Sequence, residues 1–238
     1  MKLQDFFSLD GETLRFSREQ SSNFAKQVAG DFNPIHNVDA KRFCVPGDLL
    51  FAVFLHRYGV RESMQFSFSG MVDENDELVV PSEIGDAFTL ADVNGKTYLD
   101  VVATGKPCRD AGFVQSLTEQ YVQFSGQTFP HILVKLMRDN NVMINPDRPL
   151  VIYKSMMIEL QDFPATTPVL EFAESSLNVE GKKGEAQLRF SIRAHGEIIG
   201  RGEKSMLMSG LRDYEQSEID RIVAQYETWK ADFQAVGA

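Results

Sequence analysis

The run Leu49-Leu50-Phe51-Ala52-Val53-Phe54-Leu55 has no polar position anywhere around a helical turn. A helix built from it cannot lie on a surface and must be wrapped by other structure. Pro46, suited to a first helical position, opens the segment, and Gly59 can close it. Four stretches with strand character follow, at residues 64–71, 86–93, 98–104 and 113–124. Asn94-Gly95 marks a hairpin between the second and third. The order then recurs. Phe129-Pro130 begins a second apolar run (Ile132, Leu133, Val134, Leu136, Met137), and strand-like stretches follow at 150–160, 171–179, 186–194 and 198–209. Pro130 follows Pro46 by 84 positions, as Leu150 follows Phe66 and Ser209-Gly210 follows Ser125-Gly126. The spacing predicts a diverged internal duplication, with the longer turn at 180–184 matching that at 94–96.

Each half therefore reads as one buried helix followed by about four antiparallel strands, an α+β arrangement. This is the outline of a hotdog fold, in which a curved sheet wraps a central helix. Two halves in one chain resemble the tandem, or double, hotdog: two antiparallel sheets, each around a buried helix. The first half is expected over residues 1–126 and the second over 127–212. A C-terminal amphipathic helix over 213–238 places Ile219, Ile222, Val223, Tyr226, Trp229 and Phe233 at helical spacing, laid on the outside of a sheet.

Ahead of the first buried helix, Asp10-Gly11 predicts a hairpin turn, and Ser17 with Gln20 has capping-box spacing. Helical spacing follows through Phe24, Ala25, Val28 and Ala29, and Gly30 suits the left-handed position past a helix end. The segment from Asp31 to His36 thus leaves one helix and approaches another. It is the one loop in the chain that combines a carboxylate, an amide and an imidazole within six residues.

Residues 24–36, FAKQVAGDFNPIH, resemble the hydratase motif of the MaoC-like, (R)-specific enoyl-CoA hydratases, which also have the hotdog fold. In that family an Asp and a His, five apart across an Asn-Pro, hold and activate a water that adds to an enoyl thioester. The resemblance implies Asp31 as base on the water, His36 as its partner acid and Asn33 orienting the loop. Gly47, at the start of the buried helix, would donate its amide to the oxyanion. Where those hydratases usually place a His-Gly pair, this chain has Pro46-Gly47-Asp48. The whole chain also resembles an uncharacterised bacterial protein family that shares this loop and the segment NPDRPLVIY.

The chemistry can be stated without a family. A carboxylate and an imidazole sharing one water can remove a proton from it and return one to an adjacent carbon. The residue before a proline is held extended, which stiffens the loop at Asn33, and the amino end of a buried helix can receive the charge forming on a thioester oxygen. Lys41, Arg42 and Arg148 are candidates for the phosphates of coenzyme A. No cofactor is implied beyond the coenzyme A or acyl carrier of the substrate. Two competing readings use the same pocket: a non-catalytic acyl-CoA binder, and a thioesterase in which Asp31 or Asp48 activates water.

Other residues carry weaker signals. His131 opens the second apolar run without an acidic partner at similar spacing; His56 and His195 read as surface or packing residues. Cys44 and Cys108 make no disulfide framework, and no Cys/His cluster has zinc-like spacing. With 34 acidic against 24 basic residues, the chain's field repels nucleic acid and anionic membrane. No apolar run approaches the roughly 20 residues of a membrane span. A cytoplasmic acyl-thioester protein, monomer or homodimer, is the expectation.

Overall fold

A computed structural model of the protein describes residues 2–236. Strands β1 (Ser8–Asp10) and β2 (Thr13–Arg15) form the expected hairpin, turning at Gly11 with φ +60°. Ser17 and Gln20 close a capping box, and α1 (Arg18–Asn23) follows. It widens into a π-helical turn over Phe24–Ala29 and stops at Gly30, whose φ of +68° is the left-handed conformation its position predicts.

Helix α2 (Gly47–Tyr58) is the buried helix. Pro46 is its N-cap, so the helix starts one residue later than expected. Leu49, Phe51, Ala52 and Leu55 have no exposed surface. Phe51 meets the rings of Phe66 and Tyr121 edge-on at 5.2 and 4.7 Å, and Phe54 meets Phe66 at 5.1 Å. Each such pair adds about 0.5–1.5 kcal/mol beyond the area it buries.

After α2 come β3 (Val60–Phe68), β4 (Leu78–Val79), β5 (Ala87–Asp92) and β6 (Thr97–Cys108), then α3 (Ala111–Gly126), α4 (Leu133–Asp139) and β7 (Val142–Met143). The chain continues through β8 (Val151–Leu160), β9 (Val169–Glu180), β10 (Lys183–Ala194), β11 (Glu197–Ser209), β12 (Arg212–Asp213) and α5 (Gln216–Val236). Ten strands make one antiparallel sheet in the order β1-β2-β4-β5-β6-β3-β8-β11-β10-β9, and β12 pairs with β7 apart from it. The two expected sheets are therefore fused. The join is the β3–β8 ladder, running from Ser63 opposite Glu159 to Ser67 opposite Ser155.

On either side of that join the strands correspond as β3 with β8, β6 with β11, β5 with β10 and β4 with β9. The four strands on each side thus come in the same order, but the 84-residue offset matches only β3 with β8 and misaligns the later ones. Residues 113–124 are not a strand. They belong to α3, where Asp110 accepts the Phe113 amide at 2.8 Å and Phe113, Val114, Leu117, Tyr121 and Val122 line one buried side. With β4, which the sequence does not suggest, as the counterpart of β9 and residues 113–124 removed, the later pairings shift by one: the turn at Asn94-Gly95 corresponds to His195-Gly196, and Ser125 ends a helix whereas Ser209 ends a strand. The second apolar run is also less than a second buried helix. α4 has seven residues, with Leu133, Leu136 and Met137 inside and Lys135 and Arg138 outside.

The larger core, around α2, draws Met156, Ile158, Phe190 and Ile192 from the second half as well. A smaller core joins α4 to β10, β11 and Ile219 of α5. Helix α5 does not simply lie on a sheet. Its first turns enter that smaller core, and its later turns cover the loop after Gly30, where the rings of Tyr226 and Phe233 each pack edge-on against Phe32 at 5.8 Å. Among the described residues, no helix is long and apolar enough to cross a membrane.

Candidate active site

The loop from Gly30 to Val45 is fixed by short-range bonds that follow from its residue types. The left-handed turn at Gly30 returns the Asp31 amide to the Ala25 carbonyl at 2.8 Å. Asp31 Oδ1 accepts the Asn33 amide at 2.9 Å, and Asn33 Oδ1 accepts the Ile35 amide at 3.3 Å, capping a 3₁₀ turn over Pro34–His36. Such two-residue side-chain turns are the common use of Asp and Asn in loops. Asn33 thus caps the turn that leads to His36. Tyr226 of α5 ties the same loop down by accepting the Phe32 amide at 3.3 Å and donating to the Gly30 carbonyl at 3.1 Å.

His36 Nδ1 lies 2.6 Å from the Cys44 carbonyl oxygen. A carbonyl can only accept, so in the neutral ring Nδ1 carries the hydrogen and Nε2 is bare. Nε2 stands 3.7 Å from Asp31 Oδ2, too far for a direct hydrogen bond and close enough for one water to reach both. Both groups line a cavity of about 370 Å³. The rest of its wall is mainly apolar, with Phe68, Leu133, Ile144 and Trp229 contributing, and its roof is Ile222, Tyr226 and neighbouring residues of α5.

Gly47 and Asp48 line the same cavity at the start of α2. Leu49 and Leu50 both bond to the Pro46 carbonyl, so Gly47 and Asp48 are the amides at the open end of the helix, where they can meet developing negative charge. Gly47 is required there for space. A Cβ at this position would lie 2.7 Å from Tyr153 Cδ1 and 3.2 Å from Phe68 Cε1. Those two rings stack at 4.7 Å across the β3–β8 join.

Asp48 does not point its charge at the open end of the helix. Its Oδ2 accepts Ser125 Oγ of α3 at 2.5 Å, and Ser125 Oγ in turn accepts Lys204 Nζ of β11. Lys204 also stands 4.5 Å above the ring of Tyr153. Asp48, Ser125 and Lys204 are all buried and all line the cavity. Burial pushes the Asp48 carboxyl above its ordinary range, while the Lys204 charge and the Ser125 hydrogen bond oppose that rise. Burial also pushes the Cys44 thiol up to about 12, so this cavity residue is no thiolate.

Ser125 and Lys204 were not recognised as site residues from the sequence. The signal for Lys204 was its phase. Residues opposite one another on paired strands point to the same face, and one row across the sheet reads Val101, Phe66, Met156, Lys204, Leu188. The other four are at most 2% exposed, so the lysine sits in a row of apolar side chains. Reading that row requires the register between distant strands.

Of the expected coenzyme A contacts, Lys41, Arg42 and Arg148 are exposed and outside the cavity lining; Arg221 of α5 is the basic residue at its edge. His56, His131 and His195 are exposed and away from the cavity. Both cysteines are free. Among the described residues no cluster of three His, Cys, Asp or Glu side chains could hold a metal ion.

A family model described as "Protein of unknown function (DUF3581)" matches residues 1–217. No curated protein matches. Solved structures with similarity include a conserved protein of unknown function with a hot dog fold from Alicyclobacillus acidocaldarius, at TM-score 0.48 and 10% identity over 88% of this chain and 98% of that one. An acyl-CoA thioesterase II from Mycobacterium marinum matches at TM-score 0.42 and 12% identity over 91% and 99%. A MaoC-like dehydratase matches at TM-score 0.42 and 9% identity over 85% and 98%.

Proposed function

Because the chain belongs to the DUF3581 family, whose description assigns no activity, we propose from the site itself that it is an acyl-thioester enzyme of tandem-hotdog fold that hydrates or dehydrates enoyl thioesters. The fold reading rests on the paired order of strands about the β3–β8 join and on the wrapped helix α2. The functional reading rests on one observation: Asp31 Oδ2 and His36 Nε2, 3.7 Å apart, face an apolar cavity that also holds the open end of α2.

In the tautomer set by Cys44, both groups are acceptors. A water between them gives one hydrogen to each and turns a lone pair into the cavity. As its oxygen bonds to the β carbon of an enoyl thioester, His36 Nε2 takes one proton. The π electrons move through the α carbon to the thioester oxygen, where the Gly47 and Asp48 amides receive the charge. The imidazolium, beside the Asp31 carboxylate, returns the proton to the α carbon. This gives His36 both the base and the acid role and Asp31 the holding role, where the resemblance implies Asp31 as base and His36 as acid, because Nε2 is bare in the tautomer that Cys44 sets.

The test is loss of enoyl-thioester absorbance with purified protein. Asp31→Asn and His36→Gln should each lower the rate by about 10²-fold or more, the usual contribution of a positioned acid–base group. Unchanged turnover in either would refute its role. A second reading, thioester hydrolysis, is favoured by the buried Asp48 carboxyl in the cavity wall; release of free thiol without a hydroxyacyl product would select it. Binding of acyl analogues with no turnover of either kind would leave a binder.

A further inference from the structure

The chemistry proposed above uses Asp31, His36 and the end of α2 and leaves the Asp48–Ser125–Lys204 network with unused hydrogen-bonding capacity. Asp48 Oδ1 is buried and, among the described residues, has no partner; the same is true of Tyr153 Oη. Lys204 is 6% exposed and Asp48 7%. The lysine's three donors have one hydrogen-bond acceptor among the described residues, the Ser125 hydroxyl. A buried ion pair offsets its desolvation only when its remaining lone pairs and protons are satisfied. Here a carboxylate oxygen without a partner and an ammonium with spare donors belong to two buried residues that line the cavity proposed to take the acyl chain.

From these groups we infer that the network is a recognition subsite for a hydroxyl group on the acyl chain, an inference that rests on the acyl-thioester reading. The complementarity is specific. A hydroxyl has one proton to give and lone pairs to receive with. It can donate to Asp48 Oδ1 and accept from Lys204 Nζ at once. A ketone supplies only the acceptor. A carboxylate would add a negative charge to a pair already balanced, one acid against one base, within an apolar enclosure, and would meet Asp48 as a like charge. A plain alkyl chain would leave every one of these atoms unmet. The cavity therefore selects a hydroxylated acyl thioester over its saturated parent.

The test is calorimetric binding of non-reacting amide analogues of acyl-pantetheine to the full-length protein. The panel holds a saturated chain, its positional mono-hydroxy isomers and its ω-carboxy counterpart. One hydroxy isomer should bind wild-type protein at least about tenfold more tightly than the saturated parent, the worth of a hydrogen bond to a charged group. That ratio should fall to within about twofold in Lys204→Met. Since Lys204→Met leaves Asp48 uncompensated and can impair folding, the double variant Asp48→Asn/Lys204→Met removes both charges and should show the same collapse of the ratio. Equal binding of the saturated and all hydroxy analogues, or preference for the ω-carboxy analogue, would overturn the subsite and leave the acyl-thioester reading standing. Failure of every acyl analogue to bind would overturn both.

Discussion

Replacing Gly47 by alanine tests the link between the sheet join and the helix end. Alanine is a better helix former than glycine by up to about 1 kcal/mol, so propensity alone predicts a gain. Gly47 begins α2 with Pro46 as its N-cap and has no positive φ, so the backbone permits the change. The obstacle is steric. The new Cβ would stand 2.7 Å from Tyr153 Cδ1 and 3.2 Å from Phe68 Cε1. Those atoms belong to stacked rings, not to the free end of a flexible chain. Relief needs a shift of about 1 Å of either the stack or the helix start, toward ordinary carbon contact distance. Overpacking of this kind costs about 1–3 kcal/mol. Set against the propensity gain, the net expectation is a loss of about 1–2 kcal/mol, or about 2–8 °C in Tm for a chain of this size. A helix start displaced that far also moves the Gly47 amide off the proposed oxyanion position, and a misplacement near 1 Å can cost about 10² in rate. Urea unfolding and thermal melts give the first number, enoyl-thioester turnover the second. Tyr153→Leu in the Gly47→Ala background should recover part of the stability by opening the space. Equal or higher stability with full turnover in Gly47→Ala would refute the claim that the aromatic stack sets the position of α2.

Tyr226→Phe removes the hydroxyl that spans Phe32 N and Gly30 O and leaves that amide and carbonyl unmet under α5; about 1–2 kcal/mol of stability should be lost, read by urea unfolding, and a loss below about 0.3 kcal/mol would show that α5 does not hold the loop. The Cys44 thiol, pushed by burial from 9.0 to about 12, should resist iodoacetamide in the native protein at pH 9 and react once unfolded. Because its folded value is raised, the stabilisation it contributes is full below pH 9 and lost as pH rises from 9 through about 12, so the stability difference between wild type and Cys44→Ala should shrink over that window. A native alkylation rate equal to the unfolded one would contradict the burial argument.

What could be read from the sequence was governed by distance along the chain. The capping box at Ser17, the turns at Gly11 and Gly95 and the left-handed Gly30 depend on neighbours a few residues away, and each formed where its residues predict. The loop from Asp31 to His36 was legible for the same reason, since its turns are Asp and Asn bonding two residues ahead. Residues 113–124 misled because a buried stretch mixing Phe, Val, Leu and Tyr suits either period; the deciding signal was Asp110, a cap three residues before Phe113. With that element read as a strand and the two-residue β4 uncounted, each pairing after β3 with β8 slips by one, and the β3–β8 ladder that fuses the sheet lies between strands too distant in sequence to be read.

The role of Asp48 was hidden for a different reason. Read alone, an acid in the first turn of α2 places negative charge beside the amides proposed to receive an oxyanion. In the fold that charge is turned toward Ser125, 77 residues on, and Lys204, 79 residues further. The acid is thus neutralised from the second half of the chain, while the helix amides beside it stay open to the cavity. The same half supplies Tyr153, whose ring fixes Gly47. The first half carries the loop that resembles the hydratase motif, followed by Pro46-Gly47-Asp48 in place of the usual His-Gly pair, and its helix end is set in place and balanced in charge by Tyr153 and Lys204 from beyond the β3–β8 join. An isolated buried carboxylate costs several kcal/mol, comparable with the whole stability of a small domain. The site therefore needs both halves, and the fused sheet is what holds Lys204 and Asp48 at bonding distance from one serine.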